Sequence, residues 1–230
     1  MNAFTTEKLE KFRMKIRSFA EQVVLPEARI LDREERFSAE LTKKMADQGL
    51  FGIAIPKEYG GQGLDYMALV IAVEEMARVD GSQAATVAAL NSLGIGPIYN
   101  YGTEEQKQKF LPPLTQDGKT WAFGLTERDA GSDSGATTTR AELIDGQWKI
   151  NGKKMFISNS SSEVSAGITL QAITGTKGER NEYSTIIVET DRKGYHRKKI
   201  TNKMVWRGAD TGELEFNDVY VPESNLLGER

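Results

Sequence analysis

Cysteine is absent from the 230 residues, which excludes disulfides, thiolate metal sites and a cysteine nucleophile. Histidine occurs once, as His196. That excludes zinc sites of the multi-histidine kind and leaves little room for a Ser-His-Asp triad. All-carboxylate cation sites survive this count, but no EF-hand spacing occurs and no metal site is expected. A basic surplus is missing too: 30 Lys and Arg face 33 Asp and Glu, for a net charge of −3. With no run of Lys or Arg to track phosphates, a nucleic-acid partner is not expected. The start, Met1-Asn2-Ala3-Phe4-Thr5-Thr6-Glu7-Lys8, lacks the basic flank and apolar run of a secretory signal. The longest uncharged stretch, 81–103, contains Ser82, Gln83, Asn91, Ser92 and Pro97, and is too polar to span a membrane. These absences point to a cytoplasmic protein.

Apolar residues at 39% and charged residues at 27% are ordinary for a chain with a real core. The first half carries helical periodicity. Leu9, Phe12, Ile16, Phe19 and Val23 form one amphipathic stripe, which Pro26 is expected to interrupt. A short helix is expected from Ser38 to Gln48, stopped by Gly49. Turn-rich Glu58-Tyr59-Gly60-Gly61-Gln62-Gly63 follows, with Gly60, Gly61 and Gly63 read as positive-φ turn residues. From Tyr66 to Val79 the apolar residues cover nearly the whole circumference, predicting a buried helix. Ser82 is a candidate cap for the next one. Thr103-Glu104-Glu105-Gln106 reads as a capping box whose helix ends before Pro112-Pro113.

After about Gly118 the pattern changes to alternation. Candidate strands are 137–143, 147–150, 154–158, 168–174, 183–189, 212–216 and 219–221. Asp145-Gly146 and Asn151-Gly152 are the dipeptides of tight hairpin turns. Helices first and strands afterwards indicate α+β rather than a parallel α/β sheet. The expected fold is an N-terminal all-α helical domain, residues 1–118, followed by an antiparallel β-barrel-like middle domain, residues 119–230.

No Gly-x-Gly-x-x-Gly occurs, and the stretch from Gly146 to Gly152-Lys153 has the wrong spacing for a Walker loop. The informative segment runs from Trp121 through Ala122-Phe123-Gly124-Leu125-Thr126-Glu127-Arg128-Asp129-Ala130-Gly131-Ser132 to Asp133. It is an apolar strand that breaks into a loop of small residues with hydroxyls at its edge. Such a loop brings backbone N–H and hydroxyl groups close to an anionic or heterocyclic ligand, although a plain polar hairpin has the same composition. Leu125-Thr126-Glu127 with Ala130-Gly131-Ser132-Asp133 resembles the LTEPxAGSD signature of the acyl-CoA dehydrogenases, flavoenzymes that oxidise acyl-CoA thioesters. Further blocks agree in order: Pro56-Lys57-Glu58-Tyr59-Gly60-Gly61-Gln62-Gly63, Gly102-Thr103-Glu104-Glu105-Gln106-Lys107, Asn151-Gly152-Lys153-Lys154-Met155-Phe156-Ile157-Ser158-Asn159, and Asp210-Thr211 with 216–222 and Asn225-Leu226-Leu227-Gly228.

The resemblance implies a helical domain, a β middle domain and a C-terminal four-helix bundle, with FAD between the last two. Phe123, Leu125 and Thr126 match flavin-contacting positions, and Phe156, Ile157 and Ser158 match the second flavin-contacting strand. Gly131 and Ser132 match the cofactor loop, with Ser132 at the junction of cofactor and acyl-CoA. Hydroxyls at Thr126 and Ser158 suit the ring edge near N5, and an aromatic at 156 suits packing on the isoalloxazine. The family usually has Trp or Phe at position 156 and Thr at 158, so Ser158 keeps the donor and loses a methyl. Arg128 and Asp129 stand where the family has Pro-x. Family chemistry removes an α-proton with a carboxylate and passes the β-hydride to the flavin, giving the enoyl thioester. The family's general base lies in the C-terminal bundle, beyond Arg230, so no catalytic residue is assigned within this chain. An electron-transferring flavoprotein is the implied acceptor, and a homo- or hetero-oligomer the implied assembly. Two alternatives stand beside this reading: a bundle-less subunit of a heteromeric dehydrogenase, and a non-catalytic scaffold of the same fold.

Other residues take plainer readings. His196, in the basic exposed-looking strand Tyr195-His196-Arg197-Lys198-Lys199, reads as a solvated surface residue. Glu74 and Glu75 read as a polar helix edge or a buried pair with Arg78. Ala88, Ala89 and Leu90 are core by default, though the resemblance places their helix beside the acyl-chain tunnel.

Overall fold

The computed structural model describes residues 6–229. Helix α1 (Glu7–Phe19) starts where the Thr6 hydroxyl accepts the Leu9 N–H, and its stripe buries Leu9 and Ile16. Pro26 does not stop it. The helix runs through a π-helical turn, Ala20–Val24, into α2 (Leu25–Glu34), with Pro26 in the first turn of the new segment. In that widened turn Leu25 N–H bonds the Ala20 carbonyl, so the local register already departs from the α ladder where the proline lacks a donor. Helix α3 (Ala39–Asp47) is capped by Ser38.

Helix α4 (Tyr66–Ala77) buries Ala68, Ile71, Ala72, Glu75 and Met76, but Tyr66 and Val70 remain exposed. The apolar circumference therefore predicted more burial than α4 receives. Its buried Glu75 is held by Arg13, Arg17 and Arg78, two of them from α1, rather than by Arg78 alone. Helix α5 (Gly81–Ala89) is capped by Asp80, whose carboxylate accepts the Ser82 N–H at 2.7 Å; Ser82 sits inside the first turn instead of capping it. A second π-helical turn, Leu90–Ile95, joins α5 to α6 (Gly96–Tyr101). Helix α7 (Glu104–Gln116) has the expected reciprocal capping box, Thr103 with Gln106. It passes straight through Pro112 and Pro113. Burial of Phe110, Leu111 and Leu114 on one face outweighs the backbone bonds those prolines forfeit.

The β part comprises β1 (Thr120–Gly124), β2 (Arg140–Ile144), β3 (Gln147–Ser158), β4 (Ser165–Lys177), β5 (Arg180–Glu189), β6 (Tyr195–Lys199), β7 (Thr211–Pro222) and β8 (Leu226–Leu227). Asp145 and Gly146, both at positive φ, make the two-residue turn between β2 and β3 as expected. Asn151-Gly152 makes no turn. It lies within β3, where Asn151 exchanges two hydrogen bonds with Asp218 and a bulge on β7 takes up the extra residue. Two pairs of expected strands thus fuse into the long β3 and β7.

The strands form one sheet in the order β6-β7-β3-β2-β4-β5-β8, with β1 added beside β4. Two corrections to the expected barrel follow. The sheet is open, since β6 and β8 at its ends do not pair, and it is mixed, since β1 and β2 both run parallel to β4. The β4 strand is long enough to carry both neighbours on one side. Trp148, Ile150, Ile168, Leu170, Phe216 and Val219 fill the β core, while the helical core extends to Trp121, Ile187 and Leu227 across the junction. Among the glycines before α4, Gly60 and Gly63 have positive φ, but Gly61 does not; a Cβ there would meet the Ile55 carbonyl oxygen at 2.1 Å.

Candidate functional site

A cleft of about 250 Å³ opens where the π-helical turn faces the ends of β1 and β3. Its lining is Ala89, Leu93, Trp121, Phe123, Leu125, Thr126, Phe156, Ile157 and Ser158. Six of the eight expected cofactor residues therefore meet in one place. Gly131 and Ser132 lie outside that lining, on the loop after Ala130, with Ser132 exposed. Of the tunnel candidates only Ala89 reaches the cleft; Leu90 is fully buried.

The π-helical turn approaches β1 closely. A Cβ on Gly94 would stand 2.7 Å from the Trp121 carbonyl oxygen, so glycine permits the contact. Asn91 ties the same turn to the 50–53 loop: its amide donates to the Leu50 and Val87 carbonyls and its oxygen accepts the Ile53 N–H. Trp121 is fixed by an indole N–H bond of 2.9 Å to the Thr169 hydroxyl. Sequence reasoning missed Leu93 and Trp121 as lining, although Ala89 and Leu93 are four residues apart on one helical face.

The loop after β1 is held from below. The buried Glu127 accepts from Lys154 Nζ at 2.8 Å, Thr138 N at 2.8 Å, Thr138 Oγ1 at 2.6 Å and Thr139 N at 3.1 Å. Lys154 also donates to the Leu125 carbonyl at 2.9 Å. Burial pushes the Glu127 carboxyl up, but Lys154 and the Thr138 and Thr139 donors outweigh it and hold the pKa at about 2. Burial lowers the pKa of Lys154, against the pull of Glu127. Arg128 and Asp129 are exposed at the tip, which closes by a 2.7 Å bond from Glu127 N to the Ala130 carbonyl. The residues that replace Pro-x thus occupy a turn anchored on both flanks.

Beyond β3, Asp210 is buried and accepts from Ser161 N at 2.8 Å, Ser162 N at 3.0 Å and the Ser161 hydroxyl. It fixes the turn just after Ser158. Asn159, with a φ of 62°, donates its N–H to the Asp210 carbonyl.

The cleft has the chemistry of one wall of a ring-binding site. Its faces are aromatic and aliphatic, Phe156 is 62% exposed, and the hydroxyls of Thr126 and Ser158 make no hydrogen bond among the described residues. Free hydroxyls beside an apolar face suit a planar heterocycle with polar edge atoms. The volume is below the roughly 300–1,000 Å³ of complete ligand pockets, so the described residues supply a wall rather than an enclosure. His196 is not in this cleft; it is exposed on β6, as the sequence suggested.

The chain belongs to the acyl-CoA dehydrogenase family. Residues 6–117 match the family's N-terminal domain and residues 122–219 its middle domain. It is 42% identical over 224 residues to the short-chain specific acyl-CoA dehydrogenase of Clostridium acetobutylicum, a match that covers 97% of this chain and 58% of that protein. The structure superposes on butyryl-CoA dehydrogenase from Megasphaera elsdenii with a TM-score of 0.92 and 33% identity, covering 100% of this chain and 61% of the other. It is similar also to an acyl-CoA dehydrogenase from Bacillus anthracis complexed with FAD, with a TM-score of 0.89 and 31% identity over 100% of this chain and 39% of that one. The chain thus spans about 60% of the length of the first two of these relatives and less of the third.

Proposed function

We propose that this chain carries the flavin-facing wall of an FAD-dependent acyl-CoA dehydrogenase. The observation that carries the reading is the cleft itself: two unengaged hydroxyls, Thr126 and Ser158, stand beside an exposed Phe156 on the two strand ends that the family resemblance singles out. Phe123, Leu125, Phe156 and Ile157 pack the ring, Thr126 and Ser158 donate to its polar edge, and Gly131 with Ser132 serves the phosphate side and the acyl-CoA. FAD supplies the hydride acceptor for α,β-dehydrogenation of an acyl-CoA thioester. The hydroxyls act by stabilising the negative charge that accumulates at the ring edge on reduction. The helical unit, 1–118, supplies α5 and its π turn as the opposite wall, and the β unit, 119–230, supplies the strands. The general base is contributed from outside the 230 residues, an electron-transferring flavoprotein receives the electrons, and the working form is an oligomer. The similarity to a short-chain specific enzyme and to butyryl-CoA dehydrogenase supports a short acyl chain.

The test is FAD binding by equilibrium dialysis with a potentiometric titration, on the chain alone and joined to the C-terminal part of the short-chain specific acyl-CoA dehydrogenase of Clostridium acetobutylicum that this chain does not match. Binding is expected in at least the joined form, with Ser158→Ala lowering the flavin potential by on the order of 30 mV, the equivalent of about 1.4 kcal/mol for two electrons. A joined protein that binds no FAD would sink the reading.

A further inference from the structure

Strand β3 changes face partway along. Trp148, Ile150 and Lys154 point into the core at even positions, but Phe156 and Ser158 are exposed while Ile157 and Asn159 are buried. The switch occurs where the β3–β7 ladder goes from Lys154 opposite Leu214 to Ile157 opposite Gly212, so that Met155 and Phe156 together oppose Glu213. This is a bulge of one extra residue, and one residue is enough to invert every side chain beyond it. In a regular strand Phe156 and Ser158 would face inward, and the cleft would lose an aromatic and a hydroxyl together.

The bulge is not a local preference of the sequence. Phe156 adopts a φ of 59°, a left-handed conformation that disfavours a bulky aromatic residue. Something must hold it, and three bonds from consecutive residues of one segment to consecutive residues of the other do so. Lys154 Nζ reaches Glu127 at 2.8 Å and the Leu125 carbonyl at 2.9 Å, and Met155 N–H turns to the Thr126 carbonyl at 2.9 Å. Glu127 is itself immobilised by the backbone N–H groups of Thr138 and Thr139.

We propose that Glu127 and Lys154 are a positioning pair that clamps the 125–127 loop onto β3, thereby selecting the bulged register that turns Phe156 and Ser158 toward the cofactor. The proposal rests on the flavin reading above for what the cleft receives, but not for the clamp. Neither residue lines the flavin cleft; both act through their neighbours. The ion pair adds direction to the packing, because it closes only when residues 127 and 154 are in register.

The experiment compares the wild-type chain with Glu127→Gln, Lys154→Met and the double variant Glu127→Gln/Lys154→Met. Hydrogen exchange at the Met155 amide is read without FAD, and FAD affinity and potential are read in the joined form. The double variant removes both charges but keeps an amide oxygen for the Thr138 and Thr139 N–H groups, so it keeps the test open if the single variants unfold. In the double variant the thermal midpoint is expected to fall only modestly, with the chain still folded. Exchange at Met155 should accelerate roughly tenfold or more relative to Ile168 and Leu170 in β4, and the FAD dissociation constant should rise roughly tenfold, the scale on which outer-shell partners act elsewhere. Unchanged Met155 exchange in a folded variant would overturn the clamp. Unfolding of the double variant would overturn it too, since the pair would then be a general support of the fold. Absence of FAD from the wild-type joined protein would defeat the flavin reading and leave the exchange result to judge the clamp.

Discussion

Two carboxylates are held well below the ordinary carboxylate range by hydrogen-bond donors that outweigh burial. Glu75 is kept at a pKa of about 2 chiefly by the Arg17 hydrogen bonds, against the upward push of burial and with help from Arg13. Glu127 is kept at about 2 despite a larger burial effect, because Lys154 and two threonines donate to it. Both values lie below the roughly 4.3 of an unfolded glutamate, so each contributes stability that is fully present above that pH and is lost as the pH falls toward 2. The urea midpoint is therefore expected to fall steeply between about pH 4.5 and 2.5, and Glu127→Gln should flatten that slope while lowering stability at neutral pH. A wild-type midpoint constant across the range would contradict the assignment. Lys154→Met removes one partner only and leaves a buried carboxylate, which costs about 3–5 kcal/mol by chemical denaturation.

Elements in this molecule are fitted to one another through small close approaches rather than through broad faces alone. The π-helical turn at 90–95 comes within reach of β1 only because Gly94 has no side chain, so Gly94→Ala should cost about 1–3 kcal/mol by pushing the turn away from Trp121. The same substitution should shift Trp121 fluorescence, since that residue lines the cleft. An unperturbed midpoint and spectrum would show that the turn gives way freely. At the head of α7 the reciprocal Thr103–Gln106 cap makes a local comparison: Thr103→Ala should cost about 0.5–2 kcal/mol without altering the cleft. The capping glutamine does more than cap. Its amide also donates to the Ser224 and Leu226 carbonyls at 2.8 Å, stapling α7 to the last strand.

Over the whole molecule, the helical and β units share a junction in which Trp121 packs on Phe110 at 5.5 Å and Ile187 and Leu227 enter the helical core. The cleft opens beside this junction, with Leu93 and Phe156 exposed at its mouth. Met204, Val205 and Trp206 stand exposed on a loop whose Trp206 approaches Gly81, the first residue of α5. Neighbouring exposed apolar groups of this kind offer a surface to apolar ligands. The 230-residue chain is accordingly expected to bind a hydrophobic dye. A chain that binds no dye would contradict this view of the surface.

The sequence alone determined which segments are helical and which extended, because periods of 3.6 and 2 are written residue by residue, and it determined the Thr103 cap and the Asp145-Gly146 turn, because those are set by a few adjacent groups. The motif residues at the cleft were legible as well, since ordered blocks carried them by resemblance. Long-range contacts decided the rest. Pro112 and Pro113 stay in α7 because burial on one face outweighs a local penalty. Asn151-Gly152 stays in its strand because Asp218 opposes it. The facing of Phe156 and Ser158 is the clearest case. Alternation along β3 predicts both inward, and only the register imposed by β7, Thr126, Glu127 and Lys154 turns them out, since side-chain facing in a sheet is a property of pairing and not of the strand itself.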